Sequence, residues 1–534
     1  MSKKMVAPEL FRPPMDFPDV PYDHLLRAAA ERNPDHLAII YHDLNLTYRE
    51  VVSMVNGIAN GLYGLGLRKG DHLCLFTTNR PEYIVTFIAA ASIGVVVSPM
   101  NPSYKEREIS YQLANSEAKG ILVQKELVPM LSLALSETEF PELKHIIVTG
   151  KEQPANLPDA ILFSKLLRES SPKPPPHVDI SGDDLLALPY SSGTTGLPKG
   201  TMLTHRNLVS NNLQFNTCLG ITITDVALLF LPFYHIYGVM LTGSFLACGG
   251  TQVMMERFDL MKSLELCEKH KVTYYFAVPP IIIGLANAPI DLGRMASVKY
   301  IFSGAAPMPV DPARRLQEKI PGNIVQGYGL TEASPLTHSQ PRDPELIRLG
   351  SIGYPIHNTE CRIVDIDTGT QDLPQGEQGE LLVRGPQVMQ GYWHAPEETK
   401  HALQDGWLHT GDVAYVDEDG YTYIVDRKKE MIKYNGFGVA PAEIEALLLE
   451  HPAIIDTAVI GIPDDEAGEL IKGIVVQRPG TTVTEEEILT FANGKLAGYK
   501  RLHFIEFINA IPKTASGKIL RRELAERERA RRQA

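Results

Sequence analysis

The sequence predicts an α/β protein: a large N-terminal domain of layered α/β subdomains with a β-barrel-like subdomain, then a small, mobile C-terminal α/β domain. Three observations point there. At 534 residues the chain is too long for one hydrophobic core and must divide. Short β-branched runs alternate with amphipathic stretches along most of the length, the pattern of parallel sheets covered by helices. A dense charge run, Asp426-Arg427-Lys428-Lys429-Glu430, then precedes a unit of about a hundred residues, a common domain size.

Strands are predicted at 37–40, 72–76, 95–98, 120–123 and 145–148, each between helical patterns. The most apolar run, 84–100, is short for a bilayer and carries Ser92 and Gly94; it reads as a buried helix passing into a buried strand. The proline-rich 171–177 suits neither a helix nor a central strand and reads as a stiff extended connector. Strands resume at 226–231, 251–255, 274–277 and 300–303. From 360 to about 424 the rhythm becomes short strands with glycine turns at 365–369 and 417–420, which predicts an antiparallel or barrel-like part. The tail, 520–534, alternates Arg and Glu at helical spacing and is expected to be an exposed helix with i,i+4 ion pairs.

Bulk composition narrows the class. Apolar content of 44% and charged content of 22% are ordinary for a globular protein. A net charge of −13 argues against a nucleic-acid partner, which needs a basic face. The five cysteines are scattered in no zinc or disulfide spacing, so reduced thiols are expected. No apolar leader follows Met1, no transmembrane segment is evident, and the last residues are not Ser-Lys-Leu. A cytoplasmic protein is the expectation, with a homodimer left open.

The chemistry concentrates in Tyr190-Ser191-Ser192-Gly193-Thr194-Thr195-Gly196-Leu197-Pro198-Lys199-Gly200. Glycines let backbone N–H groups approach an anion, and hydroxyls with a lysine complete a phosphate cradle. The glycine spacing is not that of a Walker A loop. Further blocks follow: Leu231-Pro232-Phe233-Tyr234-His235-Ile236-Tyr237-Gly238, Ser303-Gly304-Ala305-Ala306-Pro307, Gln326-Gly327-Tyr328-Gly329-Leu330-Thr331-Glu332, the stretch 376–391, Trp407-Leu408-His409-Thr410-Gly411-Asp412, the charge run, and Pro512-Lys513-Thr514-Ala515-Ser516-Gly517-Lys518. In content and order they resemble the adenylate-forming superfamily, which holds acyl- and aryl-CoA synthetases, peptide-synthetase adenylation domains and firefly-type luciferases. The resemblance extends from about residue 35 to the end.

That resemblance implies a ligase that activates a fatty or aryl carboxylic acid with ATP and Mg²⁺, then passes the acyl group to coenzyme A. The alternative is transfer of the acyl-adenylate to a carrier protein or to oxygen. It implies an ATP- and acid-binding domain at 1–428 and a lid at 429–534, with Lys429 at the hinge. Ser191, Ser192, Gly193, Thr194, Thr195, Gly196 and Lys199 would take the β- and γ-phosphates. Glu332 would hold the metal, with Thr331 beside the α-phosphate. Gly304, Ala305, Ala306, Gln326, Gly327, Tyr328 and Gly329 would receive adenine, and Asp412 with Arg427 the ribose. Lys518 would offset charge between the carboxylate and the α-phosphate during adenylation. Lys433, Gly436 and Phe437 match the segment that forms the thiol channel in the second step.

His235 matches a gate near the substrate carboxylate. Tyr234, Tyr237, Phe276, Val278, Pro335 and Leu336 would wall the acid pocket, though apolar residues there equally fit plain core. Tyr234 stands where amino-acid-activating relatives place an aspartate, which favours an acid without an α-amino group. One departure stands out: Gly438 replaces the glutamine of coumarate-type ligases and luciferases. Features of the aryl and fatty-acyl branches are mixed, so the acid is not specified.

Overall fold

The structure is a computed structural model that describes residues 12–191, 198–435, 437–464, 466–514 and 517–533, with backbone alone at 191, 532 and 533. The predicted strands fall where the β-branched runs lie: Leu37–Tyr41, His72–Phe76, Val96–Met100, Ala118–Val123 and His145–Val148 early on. Val226–Leu229, Thr251–Met254, Tyr274–Ala277 and Tyr300–Ser303 follow. The apolar run resolves into the helix Pro81–Ala91, with proline in its first turn, and the fully buried strand Val96–Met100. The segment 171–177 is neither helix nor strand.

Two nine-stranded sheets make the body of the molecule. In one, the strands from Leu37–Tyr41 to Asn323–Gly329 pair in parallel, and antiparallel strands finish both edges. Helices fill the space between the sheets, and one continuous apolar core runs through both layers. Parallel strands end together, so the loops after Tyr274–Ala277, Tyr300–Ser303 and Asn323–Gly329 open on the same edge. That edge is where a doubly wound sheet places ligands.

Glu360–Val364, Gly379–Arg384, Leu403–Gln404, Trp407–Val416 and Thr422–Arg427 form the expected antiparallel part, with a small core of its own. Its pairing is that of an open sheet among the described residues. After Ile432 a separate five-stranded sheet carries the helices Pro441–Leu449 and Glu485–Asn493 on an independent core.

The terminal helix Arg521–Gln533 corrects one expectation. Its Arg522–Glu526 and Glu523–Arg527 pairs form as predicted, but its other face is docked. Leu524 enters a small apolar cluster, and Glu528 meets the buried Lys472 at 2.6 Å. Alternation of Arg and Glu conceals that face because a buried pair and a solvated pair use the same residue types. All five cysteines are free, as expected.

Candidate functional site

The site builds up at the carboxyl edge of the parallel sheet, where the antiparallel subdomain leans across it. Trp407–Val416 delivers Asp412, which is 5% exposed. One carboxylate oxygen accepts from the Tyr328 hydroxyl at 2.5 Å, and the other lies 3.4 Å from the Arg427 Nε. Burial raises the Asp412 pKa, with Arg427 and the Tyr328 hydrogen bond opposing it. Behind it the buried Glu380 accepts from the Gly411 amide and lies 3.2 Å from the Lys428 ammonium. Glu380 is a residue that sequence reasoning missed; nothing distinguishes it locally from any other strand glutamate.

Lys518 reaches this cluster from the C-terminal sheet's side. Its pKa is lowered, first by burial and then by Arg427, while Glu430 and Asp412 pull the other way. Its turn is tied by Lys518 N–H donating to the Thr514 hydroxyl and Thr514 N–H donating to the Lys518 carbonyl. Gly517 beside it has φ +82°, and a Cβ there would meet Pro280 at 2.8 Å. Glycine is therefore required twice over, by backbone conformation and by close approach. Val278 lies next to that contact.

The charge run at 426–430 holds a second charged cluster. Asp426 accepts from the Arg427 and Ala442 amides, and Arg521 pairs with Glu430 and, at 2.6 Å, with Glu445. Lys429 titrates at about 8, lowered by burial and then by Arg427 and Lys518.

Glu332 sits on a short 3₁₀ turn, Thr331–Ala333, that follows the Gln326-Gly327-Tyr328-Gly329 strand. A Cβ at Gly329 would fall 2.2 Å from the Pro335 carbonyl, so only glycine lets the chain double back there. One Glu332 oxygen accepts from the Tyr392 hydroxyl at 2.8 Å. The Lys199 ammonium lies 5.5 Å from the centre of the same Tyr392 ring and 3.4 Å from Glu398. Among the described residues no three acidic, histidine or cysteine side chains gather into a metal cage. A single carboxylate, joined through the Tyr392 ring to a lysine, fits Mg²⁺, which keeps waters and takes few protein ligands.

His235 caps the helix Ile236–Cys248: its Nδ1 accepts from the Tyr237 amide at 3.2 Å. Burial lowers its pKa to about 4, so the ring is neutral, and the proton belongs on Nε2, which is left as a donor. Tyr237 donates to the Phe302 carbonyl, and a Cβ at Gly304 would touch the Tyr237 ring at 3.5 Å. Val278 is buried just ahead of the helix Pro279–Asn287, and Tyr234 is half-buried.

Phe276 is 0% exposed among Phe215, Phe245, Tyr274 and Phe302, and Leu336 is buried with its amide donating to Asn211. Both belong to the same buried apolar core as Tyr237 and Val278. Pro335 is buried too, with its carbonyl accepting from the Leu330 amide. Ala305 (φ +70°) is exposed and Ala306 half-buried beside Gly304. Gln326 is buried with its Oε1 unpartnered among the described residues, and Gly327 is buried with it.

Lys433 and Phe437 lie away from the Asp412 cluster. The Lys433 amide donates to Glu469, and the Phe437 ring, 55% exposed, rests on Tyr499. The expected sites at Ser192, Gly193, Thr194, Thr195, Gly196 and Gly436 lie outside the described residues. Ser191 pairs in register with Lys199 through the backbone.

Two family models match this chain: "AMP-binding enzyme" over residues 26–393 and "AMP-binding enzyme C-terminal domain" over 443–518. It is 41% identical over 494 residues to 4-coumarate–CoA ligase 1 of Petroselinum crispum, covering 90% of this chain and 89% of that one. Among solved structures it is similar to ATP-bound MatB from Rhodopseudomonas palustris, with TM-score 0.87 and 29% identity over 95% of this chain and 99% of that one. It is also similar to the anthranilate CoA ligase AuaEII in complex with anthranoyl-AMP, with TM-score 0.89 and 28% identity over 96% and 98%.

Proposed function

Since the chain belongs to the AMP-binding enzyme family and is an acid–thiol ligase that couples a carboxylic acid to coenzyme A as ATP yields AMP, we propose how its residues share that work and which acids it takes. The observation that carries the division of labour is the seat of Lys518, within reach of Asp412 and Arg427 while Gly517 rests on Pro280. This is the arrangement for adenylation.

In that first step the acid's carboxylate attacks the α-phosphorus and pyrophosphate leaves. Both reactants are anions, so catalysis consists of neutralising charge and holding the groups in line. Asp412 accepts from the ribose hydroxyls, held in place by Tyr328 and Arg427. Gly304, Ala305 and Ala306 with the Gln326–Gly329 strand receive adenine. His235 donates from Nε2 to the substrate carboxylate, and Thr331 binds beside the α-phosphate. Lys518 bridges the carboxylate and α-phosphate oxygens. Lys199 and the loop before it take the departing phosphates. When bound at Glu332, Mg²⁺ supplies further neutralisation of the phosphate oxygens.

The second step needs the thiol where Lys518 stands. We place the domain boundary at 428/429, with rotation about Lys429 withdrawing Lys518 and presenting Lys433, Gly436 and Phe437 to the pantetheine arm. The outlying positions of Lys433 and Phe437 support this reading. No described helix is long and apolar enough to cross a membrane; a cytoplasmic location, where thiols stay reduced, is proposed with the rest.

For the acid we propose an aryl or arylpropenoate carboxylate. Tyr237 and Val278 offer flat apolar walls next to the slot at Gly304, and Tyr234 offers no anion for an ammonium group. The identity to 4-coumarate–CoA ligases supports the same class. Fatty acids are the second reading, favoured by Gly438. A Cβ at Gly438 would meet only the end of Met431, at 3.1 Å, so packing does not impose the glycine and its choice is chemical.

The test is AMP and thioester formation with ATP, Mg²⁺, CoA and a panel of hydroxycinnamates, benzoates and fatty acids. Highest kcat/KM on the aromatic acids is expected. Highest kcat/KM on fatty acids would replace this substrate assignment with the second reading.

A further inference from the structure

We propose that Tyr392 is a positioning residue that joins the two halves of the phosphate end of the site; this rests on the reading of Glu332 and Lys199 given above. One ring serves both. Its hydroxyl donates to Glu332 Oε1 at 2.8 Å, and its face lies 5.5 Å from the Lys199 ammonium. Glu332 and Lys199 come from different sheets, and no direct pair between them is present among the described residues. Tyr392 is the side chain that touches both.

The backbone makes the placement rigid. Tyr392 lies on the two-residue strand Gly391–Tyr392, in register with Thr201 on the strand Lys199–Thr204 that begins with Lys199 itself. Its amide donates to the Thr399 hydroxyl at 2.8 Å, and the next amide, of Trp393, donates to the Gly200 carbonyl. The Met389 amide donates to the Glu332 carbonyl, so the same segment also grips the metal-binding turn from its backbone. Glu398, at the start of the helix Pro396–Ala402, gives Lys199 an anionic partner at 3.4 Å.

The chemistry follows from these contacts. A hydroxyl donating to one carboxylate oxygen fixes the rotation of Glu332, so its other oxygen is presented in one direction. Such an orienting bond to a metal-binding carboxylate changes metal affinity rather than metal identity. The aromatic face steadies the ammonium of Lys199 without neutralising it, unlike a carboxylate. Tyr392 therefore sets Mg²⁺–phosphate and lysine–phosphate geometry together while touching no reacting atom.

The experiment measures nucleotide binding by calorimetry without acid or CoA, so that turnover plays no part. Tyr392→Phe keeps the ring and removes the hydroxyl; it should weaken binding of Mg-ATP by about tenfold, as for a lost hydrogen bond to a charged group. It should leave ATP binding in chelator within about twofold of wild type. Tyr392→Leu also removes the ring and should weaken metal-free ATP by a further ~3-fold. Equal weakening with and without Mg²⁺ in Tyr392→Phe, or none in either, overturns the proposal. Glu332→Gln is the control for the underlying reading. If it leaves Mg-ATP affinity unchanged, the metal assignment of Glu332 is what fails. If it weakens Mg-ATP and Tyr392→Phe does not, the positioning role fails alone.

Discussion

Lys518 carries its charge in a poor place for an ammonium, half-buried and facing Arg427. In the proposed role that cost has a use, because a pre-positioned cation needs no reorganisation as negative charge develops on the substrates. Lys518→Ala should slow adenylation by ~10²-fold or more, a barrier change of about 3 kcal/mol. Thioester formation from preformed acyl-adenylate should be spared; equal losses in the two half-reactions would remove Lys518 from the first step. The neutral state of His235 belongs to the same scale. With a pKa of about 4, its imidazole stays largely neutral from pH 8 to about pH 5. Lys518 and His235 are legible as candidates from motif blocks that keep them in fixed local spacing. Tyr392 is not, because its importance lies in two contacts with residues distant in sequence.

Short elements position these groups, and the stretch from Thr422–Arg427 to the strand Ile432–Tyr434 matters most. It leaves one sheet, passes through the hinge run and enters another. The Asp426 carboxylate accepts from an amide on each side of that passage, Arg427 and Ala442. The proposed rotation about Lys429 would break the second of these bonds. Lys429→Pro fixes φ at the pivot and should leave adenylation near wild type while slowing thioester formation at least tenfold. Rapid-quench measurement of the two steps separates them; unchanged rates in both would show that the second step needs no rotation. The charge run stands out in the sequence as an expected boundary. Its buried half does not, because Asp426 and Arg521 are charged residues that a hydropathy pattern assigns to the surface.

Across the whole molecule, buried imidazoles set the response to acid. His205 and His338 are fully buried, with pKa values near 4 and 3, and His357 is near 4; burial is the first cause in each. A depressed histidine pKa means that the unfolded chain binds protons the folded one refuses. Stability is thus complete above about pH 6.5 and is lost as pH falls toward 4. Between pH 7.5 and 5 the loss is about 2 kcal/mol for each fully buried ring. Buried carboxyls run the opposite way: Asp412, Asp426 and Glu445 are raised and hold protons better when folded. Comparison with a variant isolates the imidazole. In denaturant unfolding, His338→Asn should lower stability at pH 7.5 yet show a shallower decline toward pH 5 than the parent. Parallel declines would mean that His338 is charged in the folded state.

The sequence by itself determined the layered α/β class, about half of the strands of the two large sheets, and the family. Each of these is written in short-range signals: period-two and helical hydrophobicity, turn glycines, and blocks whose members act as neighbours in the chain. Only the tertiary structure decided that Tyr237, Phe276, Val278 and Leu336, which lie on different elements, share one buried core. It also decided that the Lys518 turn rests on Pro280 beside Asp412 and Arg427, and that Tyr392 spans Glu332 and Lys199. Those placements depend on packing between sheets whose strands are far apart along the chain. No local pattern records a distance of that kind.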